Sequence, residues 1–194
     1  MSRIIAGSHR GQRLTMPLAR TTRPTSDRVR EAAFGLIASW LGAAGDAAHQ
    51  LAGLGFLDLY GGSGAVALEA ASRGASPVVC VERDRRACEA ARSNASSTGL
   101  NVRVLGQGVD QFLAGPVSRP FDVIWLDPPY DLPNSTISHV LTSLVDRSWL
   151  ATDGLVVVER STRTEPFDWP PGLGDAWNRG YGETTLYFAA GGDR

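Results

Sequence analysis

Short apolar runs alternate with helical patterns through most of this chain, and this alternation constrains its fold more than any other feature. The sequence predicts five strands, over residues 54–60, 77–81, 102–105, 121–126 and 155–159. Helices are predicted between them, over residues 65–73, 85–96, 109–113 and 135–145. Apolar strands separated by helices are typical of a parallel sheet covered on both faces. We therefore expect an α/β fold with a doubly wound, mostly parallel, Rossmann-like sheet.

Two hairpins are predicted outside this alternation. The first twenty residues alternate weakly on either side of Gly11, which favours an N-terminal β-hairpin. Residues 177–188 flank Gly180-Tyr181-Gly182, which favours a C-terminal antiparallel hairpin. With this hairpin the sheet has seven strands. We expect two units: an N-terminal hairpin extension over residues 1–24 and the main domain over residues 25–194.

A helix is predicted to begin close to Asp27, because Pro24 followed by Thr, Ser and Asp is a helix-start signal. Val29, Ala33 and Ile37 then recur at the spacing of one helix face. This face is expected to be buried. Arg30 is expected to point away from it.

Length and composition exclude several classes of protein. The chain has 194 residues, enough for one domain with a substantial core. No apolar run approaches the roughly 20 residues of a membrane helix, and the first residues lack a signal peptide's apolar segment. We expect a cytoplasmic monomer without a membrane partner. Cys80 and Cys88 form neither a metal-binding pattern nor a disulfide framework, so we expect two reduced thiols in or near the core and no metal site.

Basic residues are concentrated at the N-terminal end. Residues 1–30 contain seven arginines and one acidic residue, Asp27, although the whole chain has a net charge of −1. A local charge of about +6 favours contact with a phosphate backbone. A solvated basic face is the alternative.

A glycine-rich segment follows the first long strand. Gly62-Ser63-Gly64-Ala65-Val66-Ala67 matches the dinucleotide-binding pattern in its alanine-ending form, a weak signal by itself. Asp58 lies four residues before Gly62, where a carboxylate disfavours a pyrophosphate and favours a cationic ligand such as S-adenosylmethionine. Glu82 ends the next strand and is expected to accept hydrogen bonds from ribose hydroxyls. This position indicates a nucleoside without distinguishing NAD from S-adenosylmethionine.

The strand over residues 121–126 ends in Asp127-Pro128-Pro129-Tyr130. Neither proline can donate to a sheet, so the strand must stop there with a rigid shape. The Asp127 carboxylate and the Pro128 carbonyl are each expected to accept one N–H of an exocyclic amine, directing its lone pair toward a methyl donor. Tyr130 is expected to stack on the base. No strong general base is required, because a sulfonium is a good leaving group and the proton can depart after transfer.

The chain resembles the RsmD family of small-subunit ribosomal RNA guanine-N2 methyltransferases over nearly its whole length. The resemblance lies in Arg3–Gly7, Thr22–Glu31, Phe56–Ala70 and Asp127–Tyr130. It implies a methyltransferase domain that uses S-adenosylmethionine. It also implies, as substrate, one guanine of 16S rRNA in an assembled or nearly assembled small subunit.

The resemblance also implies a set of site residues. Asp127, Pro128, Pro129 and Tyr130 would be catalytic. Cofactor binding would involve Asp58, Tyr60, Gly62, Ser63, Gly64, Glu82, Arg83, Gly108, Val109 and Asp127. RNA binding would involve Arg10, Arg13, Arg23 and Arg28.

Two positions depart from the family pattern. Gly61 replaces a frequent alanine, which is expected to loosen the turn without changing its chemistry. Gly108 stands where an Asp or Asn often contacts adenine, and Asp110 is displaced by two residues, so adenine recognition is expected to rest on backbone groups near Val109.

Three other functions remain open from the sequence. A DNA adenine-N6 or other amino-methyltransferase shares the Asp127–Tyr130 motif, although the chain has little room for a target-recognition region. A non-catalytic RNA-binding module would leave this motif unexplained. A dehydrogenase is disfavoured by Asp58 and by the absence of lysine.

Overall fold

A computed structural model of the chain describes residues 2–16, 26–43 and 45–192. The strands are β1 (Ser2–Arg3), β2 (Arg13–Leu14), β3 (Phe56–Leu59), β4 (Val78–Glu82), β5 (Val102–Gly106), β6 (Phe121–Leu126), β7 (Leu150–Ser161), β8 (Leu173–Tyr181) and β9 (Thr184–Gly191). The helices are α1 (Asp27–Trp40), α2 (Ala65–Ser72), α3 (Arg85–Thr98), α4 (Val109–Leu113) and α5 (Asn134–Asp146). The predicted elements are confirmed, with β7 beginning earlier than expected.

Seven strands form one sheet in the order β5-β4-β3-β6-β7-β9-β8. The first five of these strands are parallel, and β9 is antiparallel to both β7 and β8. The strand order reverses between β3 and β6, where Asp58 is paired with Trp125. Ligands of doubly wound sheets bind beyond the carboxyl ends of the strands at such a reversal. The predicted α/β fold and both predicted hairpins are therefore confirmed.

Both faces of the sheet are covered by apolar side chains. Trp125 and Val157 pack on the face covered by α1 and α2. Leu126 and Val158, each one residue further along, pack on the opposite face with α4 and α5. This alternation fixes the register of β6 and β7, because a slip of one residue would exchange the two faces. It also fixes which face the residues at the strand ends present.

The N-terminal hairpin docks on helix α2 through two polar residues. Glu69 is fully buried and accepts the backbone N–H groups of Ile5 at 2.7 Å and of Ala6 at 3.0 Å. The Ser72 carbonyl accepts Ser8 N–H at 2.8 Å. A Cβ at Gly7 would lie 2.0 Å from that same carbonyl oxygen, so the close approach requires glycine. The hairpin is thus tied to the helix that follows the glycine-rich loop.

Arg30 contradicts the expectation that it points away from the core, because its side chain is fully buried. Its Nη2 donates to the Arg3 carbonyl at 2.6 Å and to Asp27 at 3.0 Å, and its Nη1 donates to Ser2 at 3.2 Å. Helical periodicity alone missed this role, since the partners of Arg30 come largely from the N-terminal hairpin.

Within the part of the chain that the structure describes, no helix is long and apolar enough to span a membrane.

Candidate active site

The glycine-rich loop after β3 is held open by backbone conformation. Tyr60, Gly62 and Gly64 have φ angles of 62°, 54° and 77°, in the left-handed region. A Cβ built on Gly62 meets nothing within 4 Å, so the loop presents bare backbone to a ligand. A non-glycine residue in this conformation is uncommon and concentrates at functional sites, which is consistent with the predicted role of Tyr60.

Gly61 corrects one expectation about this loop. A Cβ at Gly61 would lie 2.4 Å from the Cys80 Sγ and 3.0 Å from an Asp58 carboxylate oxygen. The glycine therefore does not loosen the turn: the sulfur of Cys80 fills the space that an alanine methyl would occupy. Cys80 and Cys88 are both free and buried, as the sequence predicted.

Asp58 lies at the base of the loop and is only 1% exposed. Its carboxylate accepts the Ala67 backbone N–H at 3.1 Å, which joins the strand end to the first turn of α2. Burial raises the pKa of Asp58 to about 8; the Ala67 hydrogen bond lowers this pKa and Glu82 raises it. A cationic ligand group beside Asp58 would favour its ionised form.

Glu82 ends β4 and organises the neighbouring backbone. One carboxylate oxygen accepts Gly62 N–H at 2.9 Å, and the other accepts Asp84 N–H at 2.7 Å. Glu82 is half-buried, so its carboxylate lies at the rim of the glycine loop. Each oxygen keeps a further lone pair with which to accept a ribose hydroxyl.

The predicted adenine-side residues follow the ends of three strands: Tyr60 follows β3, Arg83 follows β4, and Gly108 and Val109 follow β5. Burial and, to a smaller extent, the charge of Asp110 raise the pKa of Tyr60 to about 12, while Arg83 lowers it. The Tyr60 phenol therefore stays neutral near pH 7 with Asp110 and Arg83 in its surroundings. Gly108 is the N-cap of α4 and has no side chain to cap it, and Val109 is buried behind it. The charge of Asp110 thus reaches Tyr60 despite the displacement of Asp110 in the sequence.

The end of the N-terminal hairpin lies over the glycine loop. The Ser63 hydroxyl donates to the Met16 sulfur at 3.2 Å. Asn94 on α3 accepts Thr15 N–H at 2.8 Å and donates to the carbonyls of Thr15 and Ser63 at 2.9 and 3.0 Å. Asn94 and Met16 were not identified from the sequence, because their roles depend on contacts between distant segments.

The Asp127–Tyr130 turn lies at the carboxyl end of β6, next to the glycine loop. Asp127 N–H donates to the Leu59 carbonyl at 3.3 Å, which places the turn beside the end of β3. Leu132 N–H donates to the Pro129 carbonyl at 3.0 Å and closes the turn. Pro128 is buried, whereas the Tyr130 side chain is 47% exposed. An exposed ring beside a rigid turn is available for stacking on a base.

Arg160 of β7 holds this turn in place and was missed by the sequence analysis. It is 3% exposed, and its guanidinium donates to the Pro129 carbonyl at 3.2 Å and to the Leu132 carbonyl at 3.0 Å. Burial lowers the pKa of Arg160, while Asp127 and Tyr187 raise it. Arg160 follows three buried valines and the buried Glu159 in β7. The sequence therefore offered no signal of its role beyond a charged residue at the end of an apolar run.

The predicted RNA-binding arginines lie on the described surface, with one exception. Arg10, Arg13 and Arg28 are exposed, and Arg23 lies outside the described residues. Arg3 of β1 pairs with Asp27 at 3.2 Å, which brings the hairpin next to the start of α1.

Among the described residues, no group of three or more His, Cys, Asp or Glu side chains is arranged to hold a metal ion.

Comparisons with known proteins identify the family of this chain. The family described as conserved hypothetical protein 95 matches residues 2–190. Ribosomal RNA small subunit methyltransferase D of Escherichia coli K12 is 34% identical over 172 residues, covering 86% of this chain and 80% of that protein.

Solved structures show the same fold. A hypothetical protein from Thermus thermophilus has a TM-score of 0.76 at 30% identity, covering 97% of this chain and 98% of that one. An RNA methyltransferase from Salinibacter ruber, in complex with S-adenosyl-L-homocysteine, has a TM-score of 0.63 at 19% identity, covering 89% and 95% of the two chains. This last likeness shows the fold alone. By its family match and its curated relative, the chain belongs to the RsmD family of methyltransferases.

Proposed function

We propose that the protein transfers a methyl group from S-adenosylmethionine to the exocyclic N2 of one guanine in 16S rRNA of the small ribosomal subunit. The observation that carries this proposal is the Asp127–Tyr130 turn, fixed by Arg160 at the carboxyl edge of the sheet beside the open glycine loop. We call residues Asp127–Tyr130 the acceptor turn, because they would accept the N–H groups of the amine. A binding module without catalysis would not need so rigid a turn.

The residues at the glycine loop fit S-adenosylmethionine. The bare backbone at Gly62 allows close approach, and Glu82 places a carboxylate beside the loop, where it would repel a pyrophosphate. Asp58 would face the cationic portion, Glu82 the ribose, and Tyr60 with Val109 the adenine. When bound, the cofactor supplies an electrophilic methyl group on a sulfonium. A structurally similar RNA methyltransferase from Salinibacter ruber holds the demethylated product of this cofactor, S-adenosyl-L-homocysteine.

The acceptor turn prepares the amine for attack. The Asp127 carboxylate and the Pro128 carbonyl each accept one N–H of the guanine amino group. These two hydrogen bonds orient the nitrogen lone pair toward the methyl group and oppose its conjugation with the ring. Transfer would form the bond between N2 and the methyl carbon as the sulfur–carbon bond breaks, and the amine proton would then leave to water. Because the turn is fixed before substrate arrives, its contribution is preorganisation.

The proposed partner is 16S rRNA in an assembled or nearly assembled subunit. The related Escherichia coli protein is named as a small-subunit ribosomal RNA methyltransferase. Exposed Arg10, Arg13 and Arg28 supply positive charge around the hairpin, which suits RNA phosphates. The target base would leave its stack to reach Tyr130. We propose that the protein acts as a cytoplasmic monomer without a metal ion.

The test is methyl transfer from labelled S-adenosylmethionine to small subunits that lack their guanine-N2 modifications. Naked 16S rRNA and adenine-containing duplex DNA serve as parallel acceptors. Label on guanine N2 in the particle alone is the expected result. Label on adenine would replace this proposal with a DNA adenine methyltransferase, and no transfer to any acceptor by cofactor-bound protein would contradict methylation.

A further inference from the structure

A groove of about 650 Å³ lies beside the acceptor turn, and its walls come from three separate parts of the fold. Tyr130 forms one wall, Ser26 at the start of α1 another, and Ser161 with Thr184 the third, where the C-terminal hairpin turns. The volume is within the range of small-ligand pockets, roughly 300 to 1,000 Å³, and suits a single nucleotide. The C-terminal hairpin therefore contributes to the substrate side of the molecule as well as to the edge of the sheet.

Among the described residues that line the groove, Glu159 is the one buried acidic residue, at 4% exposure. It lies on the same face of the sheet as Val157, which packs with Trp125. Leu126 and Val158 are partners in the parallel β6–β7 register, so Asp127 and Glu159 are the next residues of adjacent strands. Strands in a sheet are about 4.8 Å apart, so the backbones of Asp127 and Glu159 lie close together, and a base is large enough to span two side chains at this spacing.

This spacing matches the edge of guanine. Guanine presents N1–H beside its N2 amino group, which is a row of adjacent donors. With the amino group at Asp127 and the Pro128 carbonyl, guanine can be turned so that N1–H faces the neighbouring strand and Glu159. Adenine presents an acceptor at N1, and an acceptor facing a buried carboxylate is unfavourable because neither atom has a proton to share.

We propose that Glu159 reads the N1–H of the flipped guanine and is the residue that makes this site select guanine over bases with an unprotonated N1. This inference rests on the proposed function and extends it to base selection. Carboxylate oxygens have about four lone-pair sites, so Glu159 can accept N1–H in addition to the interactions that it makes within the protein.

A purely structural role for Glu159 is the competing explanation. Burial lowers the pKa of Arg30, and Glu69, Asp27 and Glu159 raise it, so Glu159 also contributes to the field around that buried cation. A structural role predicts that loss of the Glu159 charge affects folding and every substrate alike. Base reading predicts an effect that depends on the atom at position 1 of the purine.

The test uses Glu159→Gln, which keeps the shape of the side chain and replaces one acceptor with an N–H donor. Small subunits are reconstituted with 16S rRNA carrying either guanine or 2-aminopurine at the methylated position. 2-Aminopurine keeps the N2 amine and has an unprotonated N1. Wild-type protein is expected to prefer guanine by about 10- to 100-fold in kcat/KM, the usual discrimination from one base-edge contact. Glu159→Gln is expected to lower guanine methylation by a similar factor and to remove most of this preference.

Glu89→Gln is the matched control, because Glu89 is an exposed α3 residue paired with Arg85 and distant from the groove. Its preference for guanine is expected to equal that of wild type. If Glu159→Gln keeps the wild-type preference, Glu159 does not read N1–H, and the proposed function is unaffected. If wild-type protein methylates no guanine N2 in the particle, the proposed function fails and this inference falls with it.

Discussion

Arg160 provides a quantitative test of how the acceptor turn is held. Its guanidinium donates to the Pro129 and Leu132 carbonyls at 3.2 and 3.0 Å from a side chain that is 3% exposed. Hydrogen bonds from a charged donor contribute about 1.5–3 kcal/mol each. Arg160→Met keeps apolar bulk and removes both bonds, so the turn loses about 3–6 kcal/mol of local stabilisation. If about 2.7 kcal/mol of this is expressed at the transition state, kcat falls about 100-fold.

The assay separates positioning from folding. Single-turnover methyl transfer measures the chemical step, calorimetry measures the Kd for S-adenosylmethionine, and thermal unfolding reports on stability. The proposed cofactor site lies at the ends of β3 and β4, away from Arg160 on β7, so the cofactor Kd is expected to change less than about threefold while kcat falls about 100-fold. Arg160→Lys restores one donor and is expected to recover part of kcat.

Arg119→Met is the matched control, since Arg119 is half exposed and pairs with Asp122 at the opposite edge of the sheet. It is expected to leave kcat unchanged. Equal losses of kcat and cofactor affinity in Arg160→Met would refute the positioning role, as would a kcat equal to that of wild type.

Three further predictions concern the cofactor loop and the RNA surface. The pKa of Asp58, about 8, lies above its unfolded value, so ionisation of Asp58 opposes folding increasingly as pH rises from about 4 to about 8. A bound cation favours ionised Asp58, so the affinity for S-adenosylmethionine should rise up to about tenfold per pH unit toward pH 8 and then level off. Calorimetry on Asp58→Asn should show no such rise with pH. The same rise in both proteins would contradict the pairing of Asp58 with the cation. Gly61→Ala is expected to lower the free energy of unfolding by about 1–3 kcal/mol through its clash with Cys80, and a denaturation cycle with Cys80→Ala should recover much of this loss; additive effects would count against the clash. The double variant Arg10→Ala with Arg13→Ala should reduce the slope of log K for subunit binding against log salt concentration by about 1.5. An unchanged slope would remove both arginines from the RNA interface.

Periodicity and turn chemistry predicted much of the fold because each strand and helix carries a local signal. The apolar run before Asp127 predicted β6, and the two prolines predicted its end at Leu126. The carboxyl ends of parallel strands meet at one edge, so placing Asp58, Glu82 and Asp127 at one edge followed from the strands alone. The acceptor turn was predictable for the same reason.

The remainder depends on contacts between segments distant in the sequence. Arg30 lies one position from an apolar helix face, and only docking of the N-terminal hairpin makes it a fully buried donor. The role of Gly61 required knowledge of Cys80 on the adjacent strand. Arg160 and Glu159 are adjacent in the sequence and face opposite sides of the sheet, where one holds the acceptor turn and the other lines the groove. No local pattern distinguishes these two positions from ordinary strand residues.

We propose above all that Asp127 presents the amine of guanine to the methyl donor without holding the cofactor in place. The most direct measurement digests rRNA from treated small subunits to nucleosides and quantifies N2-methylguanosine by mass spectrometry, for wild type and Asp127→Ala, beside calorimetric binding of S-adenosylmethionine. We expect N2-methylguanosine with wild type, a loss of at least about 100-fold with Asp127→Ala, and a cofactor Kd that changes little. Parallel losses of product and cofactor binding would contradict the role assigned to Asp127, and a different methylated nucleoside would contradict the proposed substrate.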